Sequence, residues 1–300
     1  MNAMNMPGLK LSTMLSQVAT IVTVSKTSLG LKRQDKSAAR QADMQHGAKI
    51  GASTTSVNRF VGSGAERVKE VNAIADELIA EIKARSTDWH GQRLVNNAML
   101  QEVLGLYHTA KADYDAKVTA LVDDAPELIR EAAGKIGDYR VKLPTEQEIR
   151  EAFSLSFEVS QIADTDKFKA TGVDASLEAE MKRRFEDGVQ AAFNNAQRDA
   201  LQRVAKPVAH LIERMTAYDK AVGPDGKGGR LYDSTVTNIT DIGKVFRSFN
   251  VLNDPFLDGL AKQLDAFENI DADDLKKDRQ LRADMSKKAE AILDSLKDLI

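Results

Sequence analysis

Apolar and polar positions alternate in two short stretches of this chain and recur at three and four residues through most of the rest. Between Val18 and Val24 the run Val-Ala-Thr-Ile-Val-Thr-Val is dense in β-branched side chains, which suits a strand better than a helix. Phe153, Leu155, Phe157 and Val159 alternate with Ser154, Ser156, Glu158 and Ser160, the cleanest period of two in the chain. An isolated strand does not hold itself extended in water. The two runs, near 18–26 and 153–161, are therefore expected to pair in a short antiparallel sheet.

Helical spacing accounts for the remainder. Val68, Val71, Ala75, Leu78, Ile79 and Ile82 put one apolar stripe on a helix ending near Ser86. A second helix, from about Gln92 to Val122, carries Leu100, Leu104, Tyr107, Lys111, Tyr114, Val118 and Leu121 at steps of four and three, the spacing of a coiled-coil seam with one charged interruption. Joined by a short turn, the two would form an antiparallel hairpin. Pro126 opens a short helix through Ile136. A long helical pattern from Asp174 to Tyr218, with Leu201 and Leu211 in its seam, contains Pro207, which should kink or break it. Further helices are expected from Tyr232 to Phe249, from Pro255 to Phe267 and from Asp274 to Ile300. Lys32 to Gly64 lacks any period and reads as a long loop carrying one short helical turn.

The fold class is thus mainly α with a small β element (α+β), built from long antiparallel helical hairpins. Two regions are expected: residues 1–64, an N-terminal strand with a basic flexible loop, and residues 65–300, an elongated helical body with one inserted strand near 153–161.

Composition narrows the chemistry. The 300 residues contain no cysteine, which removes disulfides, thiolate metal sites and cysteine nucleophiles together. The run Met14 to Val24 is too short and too polar to span a bilayer or act as a signal peptide, so a cytoplasmic protein with no membrane partner is expected. The net charge of −3 conceals an asymmetry: residues 1–60 carry +6 and the other 240 carry −9. Lys26, Lys32, Arg33, Lys36, Arg40, Lys49 and Arg59 are the candidate contacts, either with nucleic acid phosphates or with an acidic protein surface. Phe60 is the sole aromatic in that segment, which disfavours base stacking.

Other motifs fail on spacing. Gly226-Lys227-Gly228 lacks the Ser or Thr and the preceding strand of a phosphate loop, and Gly62-Ser-Gly64 is too short for a dinucleotide fingerprint. His46, His90, His108 and His210 share no ligand spacing, and His210 reads as a partly buried helix residue. Asn269, Asp271, Asp273 and Asp274 begin like a calcium loop but lack its later Gly and Glu, so they read as the acidic N-terminus of the last helix. Asp164 and Asp166 read as turn caps. No catalytic residue, cofactor or metal is expected. The seam residues Leu100, Leu104, Tyr107, Tyr114, Leu201 and Leu211 are the candidates for helix–helix association, in a homo-oligomer or with a protein partner.

Several segments occur together in an order that resembles a known family. Val18-Ala-Thr-Ile-Val-Thr-Val24, the Tyr114 helix ending at Pro126, Phe153-Ser-Leu-Ser-Phe-Glu-Val159, Ala205-Lys-Pro-Val-Ala-His-Leu211, Leu231-Tyr-Asp-Ser-Thr-Val-Thr-Asn238 and Leu252-Asn-Asp-Pro255 look like a helical domain-of-unknown-function family of bacteriophages and bacteria. The resemblance runs over roughly residues 15 to 295. It implies a phage-encoded protein of the host cytoplasm, accessory to a MoxR-type AAA+ ATPase and a von Willebrand factor A-like protein, and it carries over no active site. The function expected is a non-enzymatic helical interaction or scaffold protein, an adaptor to an AAA+ remodelling system or a self-assembling factor. The alternative is a nucleic-acid-binding accessory protein that uses the basic N-terminal segment.

Overall fold

The computed structural model describes residues 10–221, 230–268, 270–297 and 299. Helices make up 66% of it and strands 11%, the mainly α fold with a small antiparallel sheet that the periodicity predicts. In chain order the elements begin with α1 (Leu11–Val18), β1 (Ala19–Thr27), β2 (Lys32–Gln34), α2 (Lys36–Gln45), β3 (Ser56–Asn58) and α3 (Ser63–Ala84). They continue with β4 (Thr87–Trp89), β5 (Gln92–Asn96), α4 (Asn97–Asp123), α5 (Ala125–Ile136), α6 (Glu146–Ala152) and β6 (Ser154–Gln161). Last come α7 (Ala175–Ala221), α8 (Asp233–Phe249), α9 (Pro255–Leu264), a 3-10 turn (Asp265–Phe267), α10 (Ala272–Lys277) and α11 (Arg279–Leu296).

The four-stranded sheet has the order β4-β5-β1-β6, so β1 does lie beside β6. On its other side β1 pairs antiparallel with β5, from Ala19 opposite Asn96 to Val22 opposite Arg93. That strand is a correction, because Gln92 to Asn96 reads as the first turn of a helix in the sequence. The reason is local. His90 and Gly91 both adopt positive φ, 51° and 81°, between the paired residues Trp89 and Gln92. Two successive left-handed residues make the tight turn that matches strand twist, so a hairpin forms where a helix–helix turn is expected.

Two compact units divide the chain. One holds the chain up to Val22, Ile82–Gln101 and Val159 onward; the other holds Thr23–Glu81 and Glu102–Glu158. The division therefore falls within β1, α3, α4 and β6 instead of after residue 64.

In the first unit α7 is the organising element. It runs 47 residues as one helix unbroken at Pro207, about 70 Å at 1.5 Å per residue. Its first half gives Val189, Ala192, Phe193 and Ala196 to a core shared with Leu11 and Leu15 of α1, Ile21, Trp89 and Leu94 of the sheet, and Ile162. Its second half gives Leu201, Val204, Val208, Leu211 and Met215 to a larger core closed by α8 to α11. The last helical stretch is two helices, not one, because Asp278 leaves the helical region and its carboxylate caps Gln280 and Leu281 N–H. Asp271 caps α10 in the same way, which settles the acidic run as helix capping, with Asn269 outside the described residues.

The second unit packs α3 antiparallel to α4. Lys117 pairs with Glu70 at 2.7 Å and Arg67 with Asp124, partners that step up one helix and down the other. Tyr114 is buried, with its hydroxyl between the carbonyls of Thr27 and Ser154 at 3.3 and 3.2 Å. Thr145 and Glu148 form a reciprocal capping box that starts α6. Phe60 is fully buried under Gly64, where a Cβ would run into its ring.

One buried charge in the first unit makes a stability test. Arg282 of α11 is 4% exposed; its Nε and Nη2 donate to Asp219 Oδ1 at 2.9 and 2.7 Å, its Nη1 donates to Leu275 O at 2.6 Å, and it lies over the Tyr218 ring. Removing one partner of such a pair leaves the other ionised away from water. Because Asp219 is 43% exposed and Arg282 keeps the Leu275 and Lys276 carbonyls, Asp219→Ala should lower stability by about 1.5 kcal/mol in urea unfolding, still more than removing the more exposed Glu213.

Candidate functional site

Residues 29–60 fold without the apolar pattern that organises the rest of the second unit. β2 and β3 pair antiparallel over three residues each, Lys32 opposite Asn58 to Gln34 opposite Ser56, and α2 with its following loop is inserted between them. This corrects the flexible loop expected for Lys32 to Gly64. Two carboxylates do the organising. Asp35 is 2% exposed and accepts from Ser37 N–H at 2.9 Å, Ser37 Oγ at 2.7 Å, Ala38 N–H at 3.0 Å and Arg140 N–H at 2.6 Å. It is the N-cap of α2. Those donors, led by the Ser37 hydroxyl, lower its pKa to about 2.

Asp43, also 2% exposed, ties down the loop that follows. Gly51 N–H donates to Oδ2 at 2.7 Å and Ser53 N–H to Oδ1 at 2.9 Å. Gly51 reaches this position with φ 96°, a backbone state that a side chain disfavours. Hydrogen bonds from Ser53 and Gly51 hold the Asp43 carboxyl below the usual range. At the base, Arg59 is buried, with Nε donating to Gly30 O at 3.0 Å and Nη1 3.3 Å from Glu148 of α6.

The two acids of the segment thus point inward, and most of its cations do not. Lys32, Arg33, Lys36, Arg40 and Lys49 are exposed, and their side chains have no ion-pair or hydrogen-bond partner among the described residues. Two of the seven candidates have partners of their own: Arg59 is buried against Glu148, and Lys26 pairs with the exposed Asp76 at 2.5 Å. Between α2 and the 46–55 loop lies a groove of about 660 Å³, lined by Asp35, Lys36, Arg40, Met44, Ile50 and Thr55 among others. Met44 and Ile50 are 68% and 59% exposed, more than any other large apolar side chain described. Their signal in the sequence is faint, since each is a lone apolar residue among polar neighbours.

A second surface lies in the first unit. Leu177, Met181 and Phe185 follow one another at four-residue steps on α7 and remain exposed. Phe185 borders a groove of about 390 Å³ with Ile21, Trp89, Ile162, Arg184 and Val189.

The association seam is corrected in part. Tyr114, Leu201 and Leu211 are buried within their own units, because steps of four and three fit a core stripe as well as an intermolecular one. Leu100 and Leu104 are half-buried, and half-buried Tyr107 stacks on Phe157 with centroids 5.0 Å apart. His210 is exposed, not partly buried. Asp164 accepts from Thr13 Oγ1 at 2.8 Å and Asp166 pairs with Lys10 at 2.7 Å, so both hold α1. Gly223 to Gly229 lies outside the described residues. Among the described residues no group of three His, Cys, Asp or Glu side chains could hold a metal, and no helix is long and apolar enough to cross a membrane.

The Asp35 cap gives a pH test. Its folded pKa of about 2 lies below the unfolded value of 3.8. The cap therefore stabilises α2 above pH 3.8 and is lost as pH falls toward 2. Amide protection factors across residues 37–45 should drop through that window in the native protein. In Asp35→Asn they should start lower and show a smaller drop, the part that Asp43 contributes.

No family model matches the chain, and neither a curated protein nor a solved structure is found to be similar to it.

Proposed function

We propose that this protein is a non-enzymatic interaction protein that engages an anionic partner through the surface of residues 31–55. The observation that carries the reading is the separation of charge in that segment. Asp35 and Asp43 are buried as backbone anchors, while Lys32, Arg33, Lys36, Arg40 and Lys49 stand exposed and unpaired on a folded scaffold. Cations left without local partners project a positive field that steers an oppositely charged surface toward them. The family resemblance makes a component of an AAA+ remodelling system the natural partner.

A second reading, nucleic acid as the partner, has the same five cations in its favour. Within residues 31–60 it would rest on phosphate contacts, because the sole aromatic there, Phe60, is buried and unavailable for stacking.

Co-purification from native lysate, with the bound proteins quantified by mass spectrometry, tests the first reading. Arg33→Glu/Lys36→Glu/Arg40→Glu should reduce recovery of the main partner at least about ten-fold with the far-ultraviolet dichroism unchanged, as expected for exposed charges that steer and fix a contact. Equal recovery would sink it. For the second reading, five phosphate contacts would weaken duplex binding by about 500-fold between about 50 and 200 mM salt. A flat titration removes it.

A further inference from the structure

Two of the five cations, Lys36 and Arg40, line a partly apolar groove, and Lys32, Arg33 and Lys49 lie outside its lining. Ala39, Met44 and Ile50 line it together with Lys36 and Arg40, and Lys49 immediately precedes Ile50. Its volume of about 660 Å³ is in the range that seats several side chains or a small ligand. The two most exposed large apolar side chains among the described residues line it together with the unpaired Lys36 and Arg40. Phosphate is a poor match for this groove. The N-terminus of α2 would ordinarily cradle an anion, but the Ser37 and Ala38 N–H groups already donate to the Asp35 carboxylate and are not free to bind one. A nucleic acid backbone also leaves Met44 and Ile50 in water, and no residue lining the groove is aromatic.

Resting on the anionic-partner reading, we propose that the groove between α2 and the 46–55 loop seats an acidic, amphipathic protein segment. Apolar side chains of that segment enter between Ala39, Met44 and Ile50. Its carboxylates meet Lys36 and Arg40 in the wall and Lys32, Arg33 and Lys49 outside it. Charge complementarity selects the segment and brings it in, and the apolar contacts hold it, the division of labour seen where an amphipathic segment docks in a groove.

The test is fluorescence anisotropy on the full chain with defined probes. One is a labelled peptide of about 18 residues with leucines at helical i, i+3, i+4 and i+7 spacing and glutamates elsewhere. A second has the same composition with the leucines scattered around the helix, and a third is a DNA duplex of about 20 base pairs. The amphipathic peptide should bind at least about ten-fold tighter than the scattered one, since both carry equal charge and only apolar burial differs. Met44→Ser/Ile50→Ser should abolish that difference, and both side chains are exposed enough for the variant to fold. Arg40→Glu should weaken both peptides. Equal binding of the two peptides overturns the proposal, as does tight duplex binding that Met44→Ser/Ile50→Ser leaves unchanged; the anionic-partner reading survives either. Concentration-dependent dimerisation that the same double substitution abolishes also overturns it, assigning the groove to a second copy. If neither peptide nor duplex binds and co-purification is insensitive to charge reversal, both readings fall together.

Discussion

The candidate surface depends on two carboxylates buried where apolar side chains would ordinarily be. A segment of about 30 residues with short strands and a single ten-residue helix cannot enclose a core of its own. Asp35 and Asp43 replace that core by gathering backbone N–H groups, three onto one carboxylate and two onto the other. Each such bond carries charge on one side and is stronger than a neutral one. The consequence reaches the surface. Because the two acids of the segment serve the backbone, neither forms an ion pair with Lys32, Arg33, Lys36, Arg40 or Lys49, which have none among the described residues. Fold and charge display have one cause.

The same residues explain why this region is hard to read from sequence. Hydrophobic periodicity reports burial of side chains, and here the buried groups are polar. α2 has the sequence Lys-Ser-Ala-Ala-Arg-Gln-Ala-Asp-Met-Gln, with a single buried residue, Asp43. No apolar stripe exists to count. An N-cap signal was present in Asp35 followed by Ser37 and Ala38, but a cap without a periodic helix behind it is weak evidence. Where burial is apolar, the pattern served well: α3, α5, α7, α8 and the strands β1 and β6 lie close to where alternation and spacing put them. The β4–β5 hairpin escaped for a different reason. Its turn uses His90 in the left-handed region, a residue that seldom marks such turns, in place of the Asn or Asp that would have announced it.

The candidate site was legible as composition and not as geometry. The +6 balance of the first 60 residues marks a cationic region, yet it weighs Arg59 and Lys26 equally with Arg40. Only placement separates them: Arg59 holds Gly30 and Glu148 from inside, Lys26 reaches Asp76, and Arg40 faces the groove. Met44 and Ile50 show the complementary limit. A lone apolar residue in a polar stretch carries no periodic signal, whether it ends buried or exposed.

The seams illustrate how spacing alone misassigns a surface. A heptad step records only that one face of a helix is apolar, and any apolar partner satisfies it. In α7 that partner lies in the same chain, since Leu201 and Leu211 belong to the core closed by α8 to α11. The stripe continues toward the start of the helix as Leu177, Met181 and Phe185, where it is exposed. One helix therefore presents a single periodic face that is core along one stretch and surface along another. The surface available to a partner begins where the chain's own covering elements end, which the period of the sequence does not encode.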